Sequence, residues 1–215
     1  MTPRRPSKRL VEASERLADL DPVMRTMLER IGPCDLRRGR PRRQHFAELA
    51  RAITYQQLAG RAAAAIHGRF VALFDGDGPT PEAVLALPVD RLRGAGLSGS
   101  KTASIRDLAD KVVDGSVQLE RIARLPDDEI KRELTLVRGI GPWTADMFLI
   151  FQLGRLDVWP IEDYGVRNGY ARLYGLGDVP KVRELAPMGD RFRPYRSVAA
   201  WYCWRAADTF TPGDE

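Results

Sequence analysis

The sequence predicts an all-α fold, and three observations support that class. Apolar residues recur at spacings of three and four over most of the chain, which is the repeat of an amphipathic helix. Glycine and proline interrupt this repeat at intervals, as they do where helices end. No segment shows the alternation of a β-strand or the strand–helix–strand order of a parallel sheet, and no repeat of fixed length is present.

Length and composition restrict what the chain can be. With 215 residues, 44% of them hydrophobic, it can bury the core of one large domain or of two lobes that share a cleft. The formal net charge is +5, and arginine, which binds oxyanions bidentately, supplies most of the 34 basic residues. An anionic partner is one interpretation, and a charge that serves only solubility is the other.

Cysteine and histidine are too few for a structural zinc site or an iron–sulfur cluster. Cys34 and Cys203 form no Cys-x-x-Cys pair and only two histidines are present, so neither a structural zinc site nor a cysteine-ligated iron–sulfur cluster can form. The basic N-terminus leads into no apolar segment, and no run of about 18 apolar residues occurs. We therefore expect no metal site, no membrane insertion and a cytoplasmic protein.

The helices can be assigned in chain order. Residues 1–9 are basic, contain two prolines and lack periodicity, which indicates a flexible tail. Apolar spacing over 10–31 predicts helices, a basic turn follows at 37–43, and helical spacing returns over 46–66. Three more helices are then predicted: one from about Pro81, one over Gly99 to Val113 with Ser98 or Ser100 as its cap, and one over Asp127 to Thr135.

The segment 136–148 (LVRGIGPWTADMF) predicts two helices joined by a very short turn. Gly139 and Gly141 allow backbone angles that a β-carbon disfavours, and Pro142 suits the first turn of a new helix. The bare main chain lets the amides from Gly139 to Trp143 converge on one anion at the positive end of the helix dipole. The pattern favours a backbone clamp for phosphate, and a tight turn between packed helices is the alternative.

Segments on both sides of this hairpin give the chain a specific likeness. In order they are ITYQQL at 53–58 followed by a small-residue helix at 59–65, GLSGSK at 96–101, the hairpin itself, DVWPIEDYGVRNG at 157–169 and PYRSVAAWYCWR at 194–205. Together they resemble the helix-hairpin-helix DNA glycosylases, specifically the 3-methyladenine (alkylpurine) branch, over most of the chain. The resemblance implies a two-lobed helical fold with a lesion pocket between the lobes. The hairpin-bearing lobe would span about 46–155, and the second lobe about 10–45 with 156–215.

In this family an aspartate follows the hairpin, and the matching residue here is Asp163, with Glu162 beside it. An alkylated purine is cationic and leaves easily, so the main need is a carboxylate that stabilises the oxocarbenium-like sugar and orients water. Asp163 also has the position of a helix cap before Tyr164, and the two roles are compatible. Bifunctional relatives carry a lysine nucleophile just after the hairpin. Trp143 takes that position here, and Lys131 lies on charged sequence expected to be solvated, so base release without strand cleavage is implied.

Aromatic side chains are the candidates for the base pocket. Trp143 and Trp204 match pocket aromatics of the family, whose electron-rich faces attract a cationic base, and Tyr164 and Trp201 are further candidates. For Trp201, core packing is an equal alternative. Met147 stands where some relatives place an aromatic residue, which indicates an adaptable pocket with a weaker contact to the cation.

The remaining candidates would hold and bend the DNA. Gln57 and Leu58 lie where relatives insert residues into the stack that the base has left, and Gln56 can share this role. Core packing is the alternative for Leu58. Lys101, near a helix start, is expected at a phosphate. The hairpin residues expected at the DNA backbone are Arg138, Gly139, Ile140, Gly141 and Thr144.

The resemblance thus implies a monofunctional glycosylase that flips 3-methyladenine- or 7-methylguanine-type bases out of duplex DNA and hydrolyses the N-glycosidic bond, initiating base excision repair. The expected partner is damaged double-stranded DNA, and the protein is expected to be a monomer. If it is bacterial, we expect it to associate with the nucleoid. No cofactor is expected, and a monovalent or divalent cation bridging the hairpin to a phosphate is left open. Two alternatives remain: a DNA-binding module without turnover, and a glycosylase for deaminated or oxidised bases, which the missing lysine disfavours.

Overall fold

The computed structural model describes residues 6–36, 44–74, 76 and 78–209, and all regular structure within them is helical, as predicted. None of the described helices is long and apolar enough to span a membrane. The α-helices in this part of the chain are α1 (Lys8–Leu20), α2 (Pro22–Ile31), α3 (His45–Tyr55), α4 (Gly60–Val71), α5 (Pro81–Ala86), α6 (Val89–Gly94), α7 (Gly99–Val113), α8 (Asp127–Thr135), α9 (Pro142–Met147), α10 (Tyr164–Leu173), α11 (Val182–Met188) and α12 (Arg196–Thr209).

Helix ends follow the local signals in the sequence. The Ser98 hydroxyl accepts a hydrogen bond from the Lys101 amide at 3.2 Å and so caps α7, which has the predicted bounds, as α8 does. Thr80 and Pro81 start α5 in the same manner, with the Thr80 hydroxyl accepting from the Ala83 amide at 3.2 Å.

The predicted tail at 1–9 is too long. Helix α1 begins at Lys8, because the side chain of Ser7 caps it. Residues 1–5, and the basic turn predicted at 37–43, lie outside the described residues.

The turn at 56–59 separates α3 from α4, which agrees with the small-residue helix predicted from Ala59. Several short features were not predicted: α6, α11, a 3₁₀ turn at Ile122–Arg124 and a π-helical turn at Phe148–Gln152 gave no sequence signal. Each is too short for an apolar repeat to show its period.

The chain folds into two compact units. Arg40–Phe148 forms one unit, and Met1–Gly39 with Leu149–Glu215 forms the other. The unit of the two chain ends has its own hydrophobic core from α1, α2, α10, α11 and α12, in which the side chains of Leu17, Met24 and Tyr202 are fully buried.

Two glycines let α12 approach α10 closely. A β-carbon at Gly169 would lie 1.8 Å from the Cys203 carbonyl oxygen, and one at Gly165 would lie 2.9 Å from Cδ1 of Trp204. Because the two glycines are four residues apart, they lie on the same face of α10. The close contact brings Trp204 to the first turn of α10.

Candidate functional site

Asp163 is the N-cap of α10. Its backbone is extended, with φ −72° and ψ 117°, and its Oδ1 accepts a hydrogen bond from the Val166 amide at 2.9 Å. The cap that was one reading of the sequence is therefore present, and it places the carboxylate at the positive end of the helix dipole. Asp163 is half-buried, whereas the neighbouring Glu162 is exposed.

Trp204 holds the same carboxylate oxygen from α12. Its indole Nε1 donates to Asp163 Oδ1 at 2.9 Å, and its ring lies close over Gly165, which has no β-carbon to displace it. Two donors on one oxygen restrain the orientation of the carboxylate. A negative charge held in this way can stabilise a cation that develops beside it.

Phe151 extends this cluster and was missed in the sequence. Its ring stacks on Trp204, with centroids 5.6 Å apart and planes at 25°, and the residue is still 40% exposed. It lies in the π-helical turn, whose wider winding rotates it away from the face of Phe148, which is buried. In a regular α-helix positions 148 and 151 share a face, so periodicity gave no signal for an exposed ring.

The other two aromatic candidates in this unit have different surroundings. Tyr164 is 63% exposed, and the guanidinium carbon of Arg167 lies 5.5 Å from its ring centre. Trp201 is 7% exposed and belongs to the hydrophobic core, with the Arg205 guanidinium 5.2 Å from its ring centre. Core packing is thus observed for Trp201, and a part in the base pocket stays a prediction for both residues.

The hairpin between α8 and α9 needs glycine at one position only. Gly139 has a φ of 78°, and a β-carbon there would lie 2.8 Å from the Ser104 hydroxyl. Gly141 has φ −97° and ψ 178°, and a β-carbon there would meet nothing within 4 Å. The prediction that both glycines relieve backbone strain is therefore wrong for Gly141. Its missing side chain instead leaves the main chain open to close approach.

Main-chain donors at the hairpin are available to a ligand. Within the described part of the chain, the amides of Gly139 and Gly141 have no hydrogen-bond acceptor. Ile140, between them, is 4% exposed, so its buried side chain anchors the turn. Two amides without an acceptor in the protein, on an anchored turn followed directly by the N-terminus of α9, form an arrangement that suits an anion.

Asp107 fixes the residue that enters the hairpin. Its Oδ2 accepts from the Arg138 amide at 2.7 Å, and its Oδ1 pairs with Lys111 Nζ at 2.6 Å. Burial raises the pKa of the Asp107 carboxyl, but the bonds from Lys111 and Arg138 outweigh burial and hold this pKa below its usual value. Arg138 itself is exposed, so its side chain can reach an anion while its main chain is held.

Gln56 and Lys101, both expected at the DNA, make contacts inside the protein. Gln56 Nε2 donates to the Gly139 carbonyl at 2.9 Å and lies 3.4 Å from Thr144 Oγ1. Lys101 Nζ donates to the carbonyls of Thr54 at 2.5 Å and of Gln56 at 2.8 Å, and burial lowers the pKa of Lys101. Lys101 thus donates hydrogen bonds to carbonyls at the C-terminal end of α3, and a phosphate contact for it stays a prediction.

The two wedge candidates are at the surface. Gln57 is exposed with a φ of 56°, and Leu58 is 37% exposed. The core-packing alternative for Leu58 is therefore not what the structure has. Their contact with DNA stays a prediction.

The remaining candidates lie on α9 or beside it. Trp143 is 41% exposed, Met147 is half-buried and Thr144 is 5% exposed. The side chain of Lys131 is 34% exposed, which fits the expected solvated position, and its Nζ also lies 2.6 Å from Oδ1 of Asp146, whose side chain is 5% exposed. This ion pair joins α8 to α9, the two helices of the hairpin.

Comparisons with known proteins identify the family of the chain. Residues 50–188 match the HhH-GPD superfamily of base excision DNA repair proteins. DNA-3-methyladenine glycosylase 1 of Schizosaccharomyces pombe is 34% identical over 200 residues, which are 92% of this chain and 88% of the relative. A structure of the S. pombe 3-methyladenine DNA glycosylase Mag1 with abasic DNA has a TM-score of 0.82 at 33% identity and covers 93% of this chain and 99% of that one.

A DNA-3-methyladenine glycosidase from Bacillus halodurans has a TM-score of 0.84 at 33% identity, over 92% of this chain and 90% of that chain. The matched residues include the hairpin, Asp163 and the wedge candidates. The chain therefore belongs to the HhH-GPD superfamily of base excision DNA repair proteins.

Proposed function

We propose that the chain is a monofunctional DNA glycosylase that releases alkylated purines of the 3-methyladenine and 7-methylguanine type from duplex DNA. A relative over most of its length is named DNA-3-methyladenine glycosylase 1, and the similar Mag1 structure contains abasic DNA, which is what base release leaves behind. The observation that carries the proposal is the carboxylate of Asp163, held through Oδ1 by two hydrogen bonds beside the stacked rings of Trp204 and Phe151.

The reaction needs little acid catalysis. Alkylation at N3 or N7 makes the purine cationic, so the base leaves as a neutral molecule when the bond from C1′ to nitrogen breaks. The positive charge passes to the sugar, which water attacks at C1′ with loss of a proton. Asp163 stabilises the sugar cation electrostatically and accepts the proton of the attacking water.

Aromatic faces supply the preference for a charged base. A cation over a tryptophan, tyrosine or phenylalanine ring gains about 1 kcal/mol or more that a neutral base of the same shape does not. Trp204 and Phe151 offer such a surface beside Asp163, and Trp143 offers an exposed ring next to the hairpin. Normal purines, which are neutral and hold a stronger glycosidic bond, are disfavoured at both binding and chemistry.

The hairpin provides a sequence-independent grip on DNA. The amides of Gly139 and Gly141, with the exposed side chain of Arg138, bind a backbone phosphate, and Leu58 with Gln57 fills the space left by the flipped base. The protein acts as a monomer and needs no cofactor. The Gly139 carbonyl already accepts a hydrogen bond from Gln56, and a chelator of divalent cations should leave base release unchanged.

Strand cleavage is not part of the proposed activity. A lyase needs an amine that can lose its proton and attack C1′. The ammonium of Lys131, the lysine nearest the hairpin in sequence, is held in an ion pair with Asp146. Borohydride should therefore trap no covalent complex between the protein and damaged DNA.

The test is to incubate the purified protein with randomly methylated duplex DNA and identify the bases set free by mass spectrometry. We expect 3-methyladenine and 7-methylguanine, together with abasic sites that break only after alkali treatment. Duplex binding without any released base would instead support a DNA-binding module without turnover. Release of only deaminated or oxidised bases from suitable substrates would assign a different glycosylase.

A further inference from the structure

The turn 56–59 between α3 and α4 has a conformation that needs support. Gln57 has a φ of 56°, in the left-handed region that residues with side chains rarely adopt. Such a conformation persists only where neighbouring structure holds it. The turn presents Gln57 and Leu58 at the surface, so whatever holds the turn decides where these two side chains stand.

Lys101 fastens the start of this turn. It extends from the first turn of α7, and its ammonium donates to the carbonyls of Thr54 and Gln56. Carbonyls at a helix C-terminus lack partners within the helix, and a cation there also suits the negative end of the helix dipole. The end of α3 is therefore fixed to α7.

Gln56 connects the same turn to the hairpin. Its Nε2 donates to the Gly139 carbonyl at 2.9 Å and also approaches Thr144 Oγ1 at 3.4 Å. Because a carbonyl oxygen can only accept, the amide nitrogen has to be the atom that faces Gly139. Gly139 in turn lies against Ser104 of α7. The side chain of Gln56 thus links the turn to the hairpin, while its main-chain carbonyl accepts a hydrogen bond from Lys101 of α7.

We propose that Gln56 is a positioning residue that couples the hairpin to the turn 56–59, so that seating the hairpin on a DNA phosphate sets where Gln57 and Leu58 enter the base stack. This role replaces the direct contact with DNA that the sequence suggested for Gln56. The inference rests on the proposed function because its ligand is duplex DNA. It does not depend on the chemistry at Asp163.

The test compares Gln56→Glu with the wild type, with Gln118→Glu as the matched control. Gln56→Glu keeps the length of the side chain but sets an acceptor against the Gly139 carbonyl, which breaks the link. Gln118 is an exposed glutamine of the same compact unit and belongs neither to the turn 56–59 nor to the hairpin. Two duplexes carry the same alkylated purine, one paired normally and one opposite an abasic position, where extrusion costs less. A neighbouring 2-aminopurine reports extrusion by its fluorescence.

We expect Gln56→Glu to lower the single-turnover rate on the paired duplex by about tenfold or more, since small misplacements of positioning groups have effects of this size. The rate on the unpaired duplex, the thermal unfolding midpoint and the affinity for duplex should stay near the wild-type values. The fluorescence change should fall with the rate on the paired duplex. Gln118→Glu should match the wild type, and Lys101→Met should also lower the rate on the paired duplex more than the rate on the unpaired duplex.

Other outcomes overturn the inference. Equal loss on both duplexes would put Gln56 in the chemical step, and weaker affinity with unchanged extrusion would make it part of the phosphate grip alone. If the wild type releases no base, the fluorescence measurement still reports extrusion, so failure of the glycosylase assignment and failure of this coupling are told apart.

Discussion

Gly169→Ala tests whether the close crossing of α10 and α12 builds the site. A β-carbon at position 169 would lie 1.8 Å from the carbonyl oxygen and 2.4 Å from the carbonyl carbon of Cys203. These are backbone atoms that no side-chain rotation can move, so α12 has to shift by about 1.5 Å to restore ordinary contact distances. Overpacking of this kind costs about 3 kcal/mol, against about 1 kcal/mol that alanine gains over glycine in a helix. We therefore expect the free energy of unfolding to fall by about 2 kcal/mol.

The same shift should reach the chemistry, because α12 carries Trp204, the donor to Asp163. Urea unfolding followed by circular dichroism measures the stability, and single-turnover base release measures the site, with an expected loss of about a hundredfold. Gly68→Ala is the control: Gly68 lies within α4 with nothing within 4 Å of a β-carbon, so alanine should stabilise by about 0.5 to 1 kcal/mol. If Gly169→Ala and Gly68→Ala change stability in the same direction, the reasoning about the crossing fails.

Three further predictions follow from the hairpin, the thiols and one carboxylate. Gly139→Ala should lower the free energy of unfolding by about 1 to 2 kcal/mol, because Gly139 has a positive φ. Gly141→Ala should change the free energy of unfolding by less than about 0.5 kcal/mol. It should nevertheless weaken binding to damaged and undamaged duplexes alike, which titrations of both duplexes would show. Burial raises the pKa of Cys34 to about 12 and also raises that of Cys203, so iodoacetamide at about pH 8 should modify neither thiol until urea is added. The pKa of Asp107 is lower in the folded than in the unfolded state. The stabilisation by its carboxylate is therefore present above about pH 4 and is lost as the pH falls through the pKa of the folded state. The difference in free energy of unfolding between the wild type and Asp107→Asn should shrink in urea titrations at acid pH.

Long helices and capped ends were readable from the sequence. The bounds of α7 and α8 were predicted because Ser98 is a strong cap and because both helices carry an apolar repeat. Asp163 was readable in the same way, as a cap and as the residue that matches the family motif.

Contacts over long sequence separations were not readable. Nothing local in the sequence shows that Gln56 bonds to Gly139, 83 residues away, or that Lys101 caps α3. Phe151 was hidden because a π-helical turn changes the face on which a residue lies. The role of Gly141 was predicted wrongly, because the sequence alone does not show whether a glycine is needed for a positive φ or for close approach of a ligand to the main chain.

Single-turnover release of methylated purines by the wild type, Asp163→Asn and Glu162→Gln tests whether the charge of Asp163 drives base release. Asparagine is as good an N-cap as aspartate and can still accept from Val166 and Trp204, so this variant removes the negative charge while the fold is kept. We expect Asp163→Asn to lose about a hundredfold or more in rate with duplex affinity within a few-fold, while Glu162→Gln stays close to the wild type. Wild-type rates in Asp163→Asn, or loss of activity in Glu162→Gln, would contradict this expectation.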